Sequence, residues 1–320
     1  MSGKNVTEVV PADAEGIARA ARCLESGGLV AVPTETVYGL AARADSAEAV
    51  EKIYAAKGRP DFNPLIVHLR DAAQAADYAE WLPDAELAAM IHWPGPLTLV
   101  LPRRAAAALA DAVTAGLPTV ALRVPAHPVM QTLLAQVDFP LAAPSANRSG
   151  FISPTTAQHV LASLDGRIDL VLDAGPTTAG VESTILAIGR DGGWRELRPG
   201  PVDSDALHRH YFDCGLPAVA DQGRIEAPGQ LASHYAPGKP VRLNALAAED
   251  GEFLIGFGAV AGDCTLSASG DLSEAAARLY ACLHEGANAP QPRIAVAPVP
   301  DEGIGRAIND RLRRASAPIA

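Results

Sequence analysis

The chain has 320 residues, a hydrophobic fraction of 48% and a formal net charge of -11. That length leaves one large domain or two ordinary ones open, and the apolar share is ample for a core. The acidic balance argues against a protein that wraps nucleic acid electrostatically, since neutralising phosphates needs a basic face, but it leaves room for a local basic pocket.

The first stretch, MSGKNVTEVVPADAEG, holds no apolar signal region, and no apolar run reaches membrane-spanning length. Cys23, Cys214, Cys264 and Cys282 form no CxxC pair and read as reduced thiols of a cytoplasmic protein. The sequons at Asn5 and Asn147 are then chance matches.

In chain order, Asp13 to Ser26 reads as a helix with Ile17, Ala20, Ala21 and Leu24 on one side. Leu29 to Val32 is a short strand that Pro33 stops, because proline has no N–H for a ladder. Thr34, Glu35 and Thr36 then present three polar side chains at a strand end. Ser46 can cap a helix over AEAVEKIYAAK, Gly58 suits its left-handed exit and Pro60 forbids resumption. Lys57 and Arg59 therefore sit on a stiff turn, where hydroxyls and cations together make a plausible anion pocket. The same pair is also what a solvated helix end looks like, since cations there complement the helix dipole.

Strands follow at Leu65–Leu69, Leu97–Leu101, Thr119–Val124 and Leu141–Ala143, with helices over Ala72–Leu82, Asp84–His92, the alanine-rich Ala105–Val113 and His127–Val137. A helix over Pro154–Leu164 has Ser153 as its expected cap and would aim free N–H groups at an anion. Ile168–Asp173, Ser183–Ile188 and Trp194–Leu197 are strands, and Asp203–Tyr211 a short helix. The interleaving from about residue 13 to 211 is that of an α/β sheet covered by helices, without the strict alternation of a doubly wound fold. Gly215 to Pro240 is rich in Gly, Pro and Ala and reads as a linker. A smaller α/β unit follows, with strands Val241–Leu243, Phe253–Gly256 and Ile294–Val299 and helices Ser273–Glu285 and Glu302–Ala315. The expected division is thus 1–214, 215–240 and 241–320.

Arg123 inside the apolar strand TVALRVP is costly unless paired or placed at a site. Ser145-x-Asn147 follows the small-residue run LAAPSAN, where a ligand could approach the backbone closely, although a plain polar loop reads the same way. His68 in a strand and Arg198 in LRPGP each have an ordinary structural reading as well. His208-x-His210 beside Cys214 does not converge on a helix, so no metal site is expected there. Walker A and G-x-S-x-G patterns are absent, and Gly256-x-Gly258-x-x-x-Gly262 has the wrong spacing for a dinucleotide fingerprint.

Taken together, VPTETVYGL, KGRP, NPLIVH, PSAN, SPT, VESTI, LRPG and SHYAPGKP resemble the YrdC-like family in its two-domain form, the threonylcarbamoyl-adenylate synthases. The resemblance covers nearly the whole chain. It implies an N-terminal YrdC-like domain with a twisted mixed sheet and flanking helices, linked to a smaller C-terminal Rossmann-like α/β domain. It implies condensation of L-threonine, bicarbonate and ATP to threonylcarbamoyl-AMP and pyrophosphate. The product serves tRNA modification beside the anticodon, through downstream threonylcarbamoyl-transfer proteins and without stable tRNA binding by this chain.

By resemblance, Lys57, Arg59, Ser145 and Asn147 form the catalytic signature. Thr36, His68, Arg123, Ala143 and Ser183 would hold threonine. Arg59, Asn63, Thr119, Ser145, Ser153, Arg198, His234 and Tyr235 would hold ATP, whose Mg²⁺ would need no dedicated side-chain site. The linker would act as a lid, and the small C-terminal domain would anchor it and supply no catalytic residue. Three other functions compete: an RNA-binding module, disfavoured by acidity and by the lack of aromatic stacking motifs; a carbamoyltransferase, disfavoured by the absence of cysteine-rich zinc segments; and an amino-acid or nucleotide binding protein with no turnover, which pyrophosphate release requiring both threonine and bicarbonate would eliminate.

Overall fold

The structure, a computed structural model, describes residues 6–204, 206–207, 226–230 and 234–317. The expected helix Asp203–Tyr211, the His208/His210/Cys214 group and much of the linker lie wholly or mainly outside the described residues. No helix among the described residues is long and apolar enough to cross a membrane.

The described strands are β1 Glu8–Pro11, β2 Val30–Val32, β3 Gly39–Arg43, β4 Ile66–His68, β5 Leu97–Pro102, β6 Thr119–Arg123, β7 Leu141–Ala142, β8 Leu170–Asp173, β9 Thr184–Ile188 and β10 Trp194–Arg198. They form one mixed sheet in the order β1-β8-β2-β3-β7-β4-β6-β5-β9-β10. A second sheet, β11 Val241–Arg242, β12 Glu252–Gly256, β13 Cys264–Thr265 and β14 Arg293–Val296, runs in the order β11-β14-β12-β13 and is parallel throughout. An all-parallel sheet needs cover, and the helices Leu272–Asn288 and Gly305–Ser316 supply it.

Local signals account for much of this. Asp13 accepts from the Gly16 N–H, and Ser46 from the Ala49 N–H, as N-caps should. Gly58 closes the second helix in the left-handed region (φ 58°), which fixes where Lys57 and Arg59 stand. Leu40, Val67, Leu99 and Leu122 bury one face of the large sheet against the helices Ala47–Lys57 and Pro83–His92. Val30, Val32 and Leu172 bury the other face against Ala14–Glu25 and Pro128–Gln136.

Two expectations fail. The alanine run from Ala105 is not helical; helix is confined to Asp111–Thr114. Its backbone is claimed from outside: Ala110 donates its N–H to the Ala44 carbonyl, and Arg103 Nη2 donates to the Leu109 carbonyl. Tertiary hydrogen bonds here outweigh alanine's propensity. The helix expected from Pro154 starts at Ala157, with Thr156 as its cap, so Ser153 is not at a helix start.

The two sheets share packing. Val37, Ile152, Val181 and Tyr235 belong to the same apolar cluster as Phe253, Ile255, Leu279 and Tyr280. At Gly180 (φ 70°) a Cβ would stand 2.3 Å from the Ala276 carbonyl oxygen and 2.4 Å from Ala277 Cα. That closeness admits only glycine.

Candidate active site

The exits of several strands converge on one cavity of about 530 Å³, its mouth included. Thr34, Thr36 and Val37 reach it from the β2–β3 connection, His68 and Arg123 from β4 and β6, and Ala143 to Ser145 from the end of β7. Glu182 and Ser183 enter at the head of β9, and Arg198 at the end of β10. Pro228, Gly229, His234 and Tyr235 of the linker close the remaining side.

One wall is built on Arg123. Its Nη2 donates to Glu35 Oε1 at 2.6 Å, its Nη1 to Thr36 Oγ1 at 3.0 Å and its Nε to the Gly95 carbonyl at 3.3 Å. The other Glu35 oxygen accepts from the Ala126 N–H. Burial pushes the Glu35 carboxyl up, but the Arg123 guanidinium and these hydrogen bonds outweigh it, so it stays below the ordinary carboxylate range. His68, beside this pair and against the Ile66 carbonyl at 3.3 Å, is driven down to about 3 by burial and by the Arg123 charge. It is a neutral imidazole across the physiological range.

Another part of the lining carries cations held by neutral groups. Arg59 donates to the carbonyls of Asn63 (3.0 Å) and Pro64 (2.8 Å) and to Asn63 Oδ1 (2.6 Å). Arg198 donates to the Ser183 carbonyl and Oγ, both at 3.1 Å, and more weakly to the Pro228 carbonyl at 3.4 Å. Neither has a salt bridge among the described residues. Burial pulls Arg59 down to about 10, and Arg198 also falls below its ordinary value, chiefly through burial. Buried guanidinium groups on neutral acceptors are the electrostatic opposite of the Arg123 wall.

The signature positions divide. Arg59 and Ser145 line the cavity. Lys57 is buried behind it and donates to the carbonyls of Ser145 and Asn147, each at 2.5 Å. Burial and the nearby Arg59 charge pull its ammonium well below the usual lysine range. Asn147 turns its amide nitrogen onto the Arg148 and Phe151 carbonyls, and its buried Oδ1 has no partner. Asn63 stands behind Arg59, with a buried Nδ2 that also lacks a partner. Thr119, half-buried at the start of β6 opposite Pro102, and Ser153 are outside the cavity lining. Ser153 donates instead to Glu182 at 2.6 Å, the use its hydroxyl finds in place of capping a helix.

From the linker, His234 and Tyr235 pack edge to face with centroids 4.1 Å apart, and Tyr235 adopts a left-handed backbone (φ 63°). The His234 Nδ1 and the Tyr235 hydroxyl are buried without partners. Burial sends the His234 imidazole down to about 3 and pushes the Tyr235 phenol up.

Sequence reasoning named Glu35 only as one of three polar side chains at a strand end, and it gave no part to Glu182, Tyr280 and Arg311. Glu182 lies within the VESTI stretch as a lone acid ahead of an apolar run, which was a usable signal. Arg311 is 129 positions from its partner Glu182, and no local pattern reveals such a pair.

The comparisons agree with this architecture. A family model described as Telomere recombination (Sua5/YciO/YrdC) matches residues 22–200, and one described as Threonylcarbamoyl-AMP synthase, C-terminal domain, matches residues 204–317. The chain is 40% identical to the threonylcarbamoyl-AMP synthase of Bacillus subtilis, over 98% of this chain and 96% of that one. It is 37% identical to that of Pyrococcus abyssi, over 93% of each. Among solved structures, P. abyssi Sua5 complexed with L-threonine superposes with a TM-score of 0.85 at 34% identity, over 97% of both chains. Two adjoining family models and near-full-length relatives on the same two-sheet frame make this chain a member of the threonylcarbamoyl-AMP synthase family.

Proposed function

We propose that this chain condenses L-threonine, bicarbonate and ATP to threonylcarbamoyl-AMP and pyrophosphate. The observation that carries the reading is two kinds of arginine in one cavity: Arg59 and Arg198 on neutral acceptors, and Arg123 already matched to Glu35. The first kind suits a polyanion and the second a zwitterionic amino acid. The chemistry needs both. The threonine amine, once carboxylated, is a carbamate, and its anionic oxygen must attack the α-phosphorus of ATP as pyrophosphate leaves. Fixed cations offset the repulsion between these anions, and a shared cavity removes much of the entropic cost of gathering the reactants.

Thr36, His68, Arg123, Ala143 and Ser183 are assigned to threonine. Glu35 holds Nη2 of the Arg123 guanidinium, and the substrate carboxylate is received at Nη1, in place of the Thr36 hydroxyl. His68, being neutral, offers a hydrogen bond without adding charge. Arg59, Ser145, Arg198, His234 and Tyr235 are assigned to the nucleotide. Asn63 acts through Arg59, and Lys57 acts through the carbonyls of the Ser145–Asn147 loop. Thr119 and Ser153 would reach ATP only with a rearranged wall.

Mg²⁺ arriving with ATP would supply neutralisation of the phosphate oxygens. No cluster of three His, Cys, Asp or Glu suited to a metal occurs among the described residues. The fitting donors are neutral oxygens, Ser145 Oγ and the unpartnered Asn147 Oδ1, in keeping with an ion that retains most of its water.

Arg59, Arg198, His234 and Tyr235 are all buried, so ATP enters only if the linker side swings away. Residues 215–240 are accordingly assigned as a lid between a catalytic domain, 1–214, and a C-terminal domain, 241–320. The test is pyrophosphate release by the purified chain. Release should require threonine, bicarbonate and ATP together; release that ignores threonine or bicarbonate would refute the proposal.

A further inference from the structure

One buried acid in the cavity wall runs against the electrostatics just described. Glu182 lines the cavity beside Ser183, one residue from a group that holds Arg198. A free carboxylate there would compete with phosphate oxygens for Arg198. It does not stand free. Its Oε1 accepts from Ser153 Oγ at 2.6 Å and from the Tyr280 hydroxyl at 3.0 Å; its Oε2 accepts from Tyr280 at 2.8 Å and from Arg311 Nε at 3.1 Å. Tyr280 and Arg311 belong to the second sheet's helices, Leu272–Asn288 and Gly305–Ser316.

Arg311 is fully buried and touches three parts of the site at once. Besides Glu182, its Nη1 donates to the Pro199 carbonyl at 2.7 Å, next to Arg198, and to Asp310 Oδ2 at 3.0 Å. Its guanidinium lies 5.7 Å from the centre of the Tyr235 ring, within cation–π reach of the linker. Asp310 is in turn held by Arg314 Nε at 3.0 and 3.1 Å.

We infer that Arg311 is a positioning residue for nucleotide use: it draws the Glu182 carboxylate toward the C-terminal domain and so leaves Arg198 free for ATP phosphates. This revises the expectation that the C-terminal domain does no more than anchor the lid, and it rests on the assignment of Arg59 and Arg198 to the nucleotide. Burial pushes the Glu182 carboxyl up, but the Arg311 and Arg198 charges and its hydrogen bonds hold it down at about 2. It is therefore an anion at every working pH. Removing Arg311 would leave that anion buried with Arg198 as the other cation whose charge acts on it.

The experiment compares Arg311→Met, Glu182→Gln and the double variant in the full chain. It reads pyrophosphate release against ATP and against threonine separately, with thermal unfolding alongside. The inference predicts that Arg311→Met raises the KM for ATP at least about tenfold and moves the KM for threonine less than about twofold. Adding Glu182→Gln should restore the ATP KM to within about threefold of the parent, because the competing charge is gone while its hydrogen-bonding shape remains. Two results would overturn it: a loss of active fraction with both KM values unchanged, the mark of a merely structural arginine, or a double variant no better than Arg311→Met. Should Arg311→Met not fold, Glu182→Gln alone in the full chain decides: with the competing charge gone and Arg311 in place, the KM for ATP must stay within about threefold of the parent, and a rise of about tenfold or more contradicts the inference. Failure of the underlying assignment looks different, since ATP affinity would then survive Arg59→Met and Arg198→Met in a chain that still releases pyrophosphate.

Discussion

The two walls of the cavity solve the burial of a guanidinium in opposite ways. Arg123 is neutralised by Glu35 at 2.6 Å and needs nothing further to be stable. Arg59 and Arg198 are surrounded by carbonyls and a side-chain amide, which satisfy their hydrogen bonds but not their charge. The difference teaches where the fold has spent stability on function. A paired cation is ordinary architecture, whereas an unpaired buried one is tolerated where an anion is due to arrive.

Breaking the unpaired wall should produce the largest effect. Arg59→Met is expected to cut kcat/KM for ATP by about 10²–10³-fold, leave threonine binding intact and not lower the thermal midpoint, as measured by pyrophosphate release and a melting curve. A melting point that falls sharply would mean that Arg59 is a structural cation like Arg123. Glu35→Gln comes next. Its amide keeps the shape but loses the charge that steadies Arg123, so KM for threonine should rise roughly tenfold while KM for ATP stays put; steady-state kinetics in both substrates checks this.

The pH dependence sharpens the comparison from another side. His68 and His234 both fall to about 3 from an ordinary 6.5. Below about 6.5 the unfolded chain therefore takes up protons that the folded one refuses. Stability should decline as pH drops from there toward 3, by up to about 1.4 kcal/mol per pH unit for each group. Glu182, lowered to about 2, adds a further loss below its ordinary value of 4.5. Urea unfolding at pH 7, 6 and 5 measures the slope, and His68→Gln should flatten it. The smallest effect is expected from Tyr235→Phe. Its hydroxyl is buried without a partner, so removing it should leave the ligand-free protein as stable or slightly more so and weaken ATP only a few-fold, measurable by melting with and without nucleotide.

Much of the scaffold was readable because it rests on local chemistry. Asp13, Ser46 and Gly58 sit at the helix ends where capping rules put them. What escaped was decided at a distance. β1 is a short strand whose partner β8 lies far along the chain, β13 is only two residues long, and GLAAR of β3 carries no alternation to betray it. The run from Ala105 carries helix propensity, but hydrogen bonds from Ala110 to Ala44 and from Arg103 to Leu109 settle it otherwise. In the site, residue types pointed to an anion pocket, and the structure brings Thr36, Arg59, Arg123, Ser145 and Arg198 to one cavity. The sequence could not reveal that Lys57 would be turned onto the Ser145 and Asn147 carbonyls behind the cavity, or that Arg123 already has its carboxylate. Those facts depend on which side chains meet once the sheet is assembled.

Titration calorimetry on two variants addresses the division of labour head-on. With ATP and L-threonine titrated separately, Arg198→Met should lose heat of nucleotide binding and keep that of threonine, and Arg123→Met should do the reverse. Variants that both lose both ligands alike, or that both keep both, would contradict the account of one cavity with two differently charged walls.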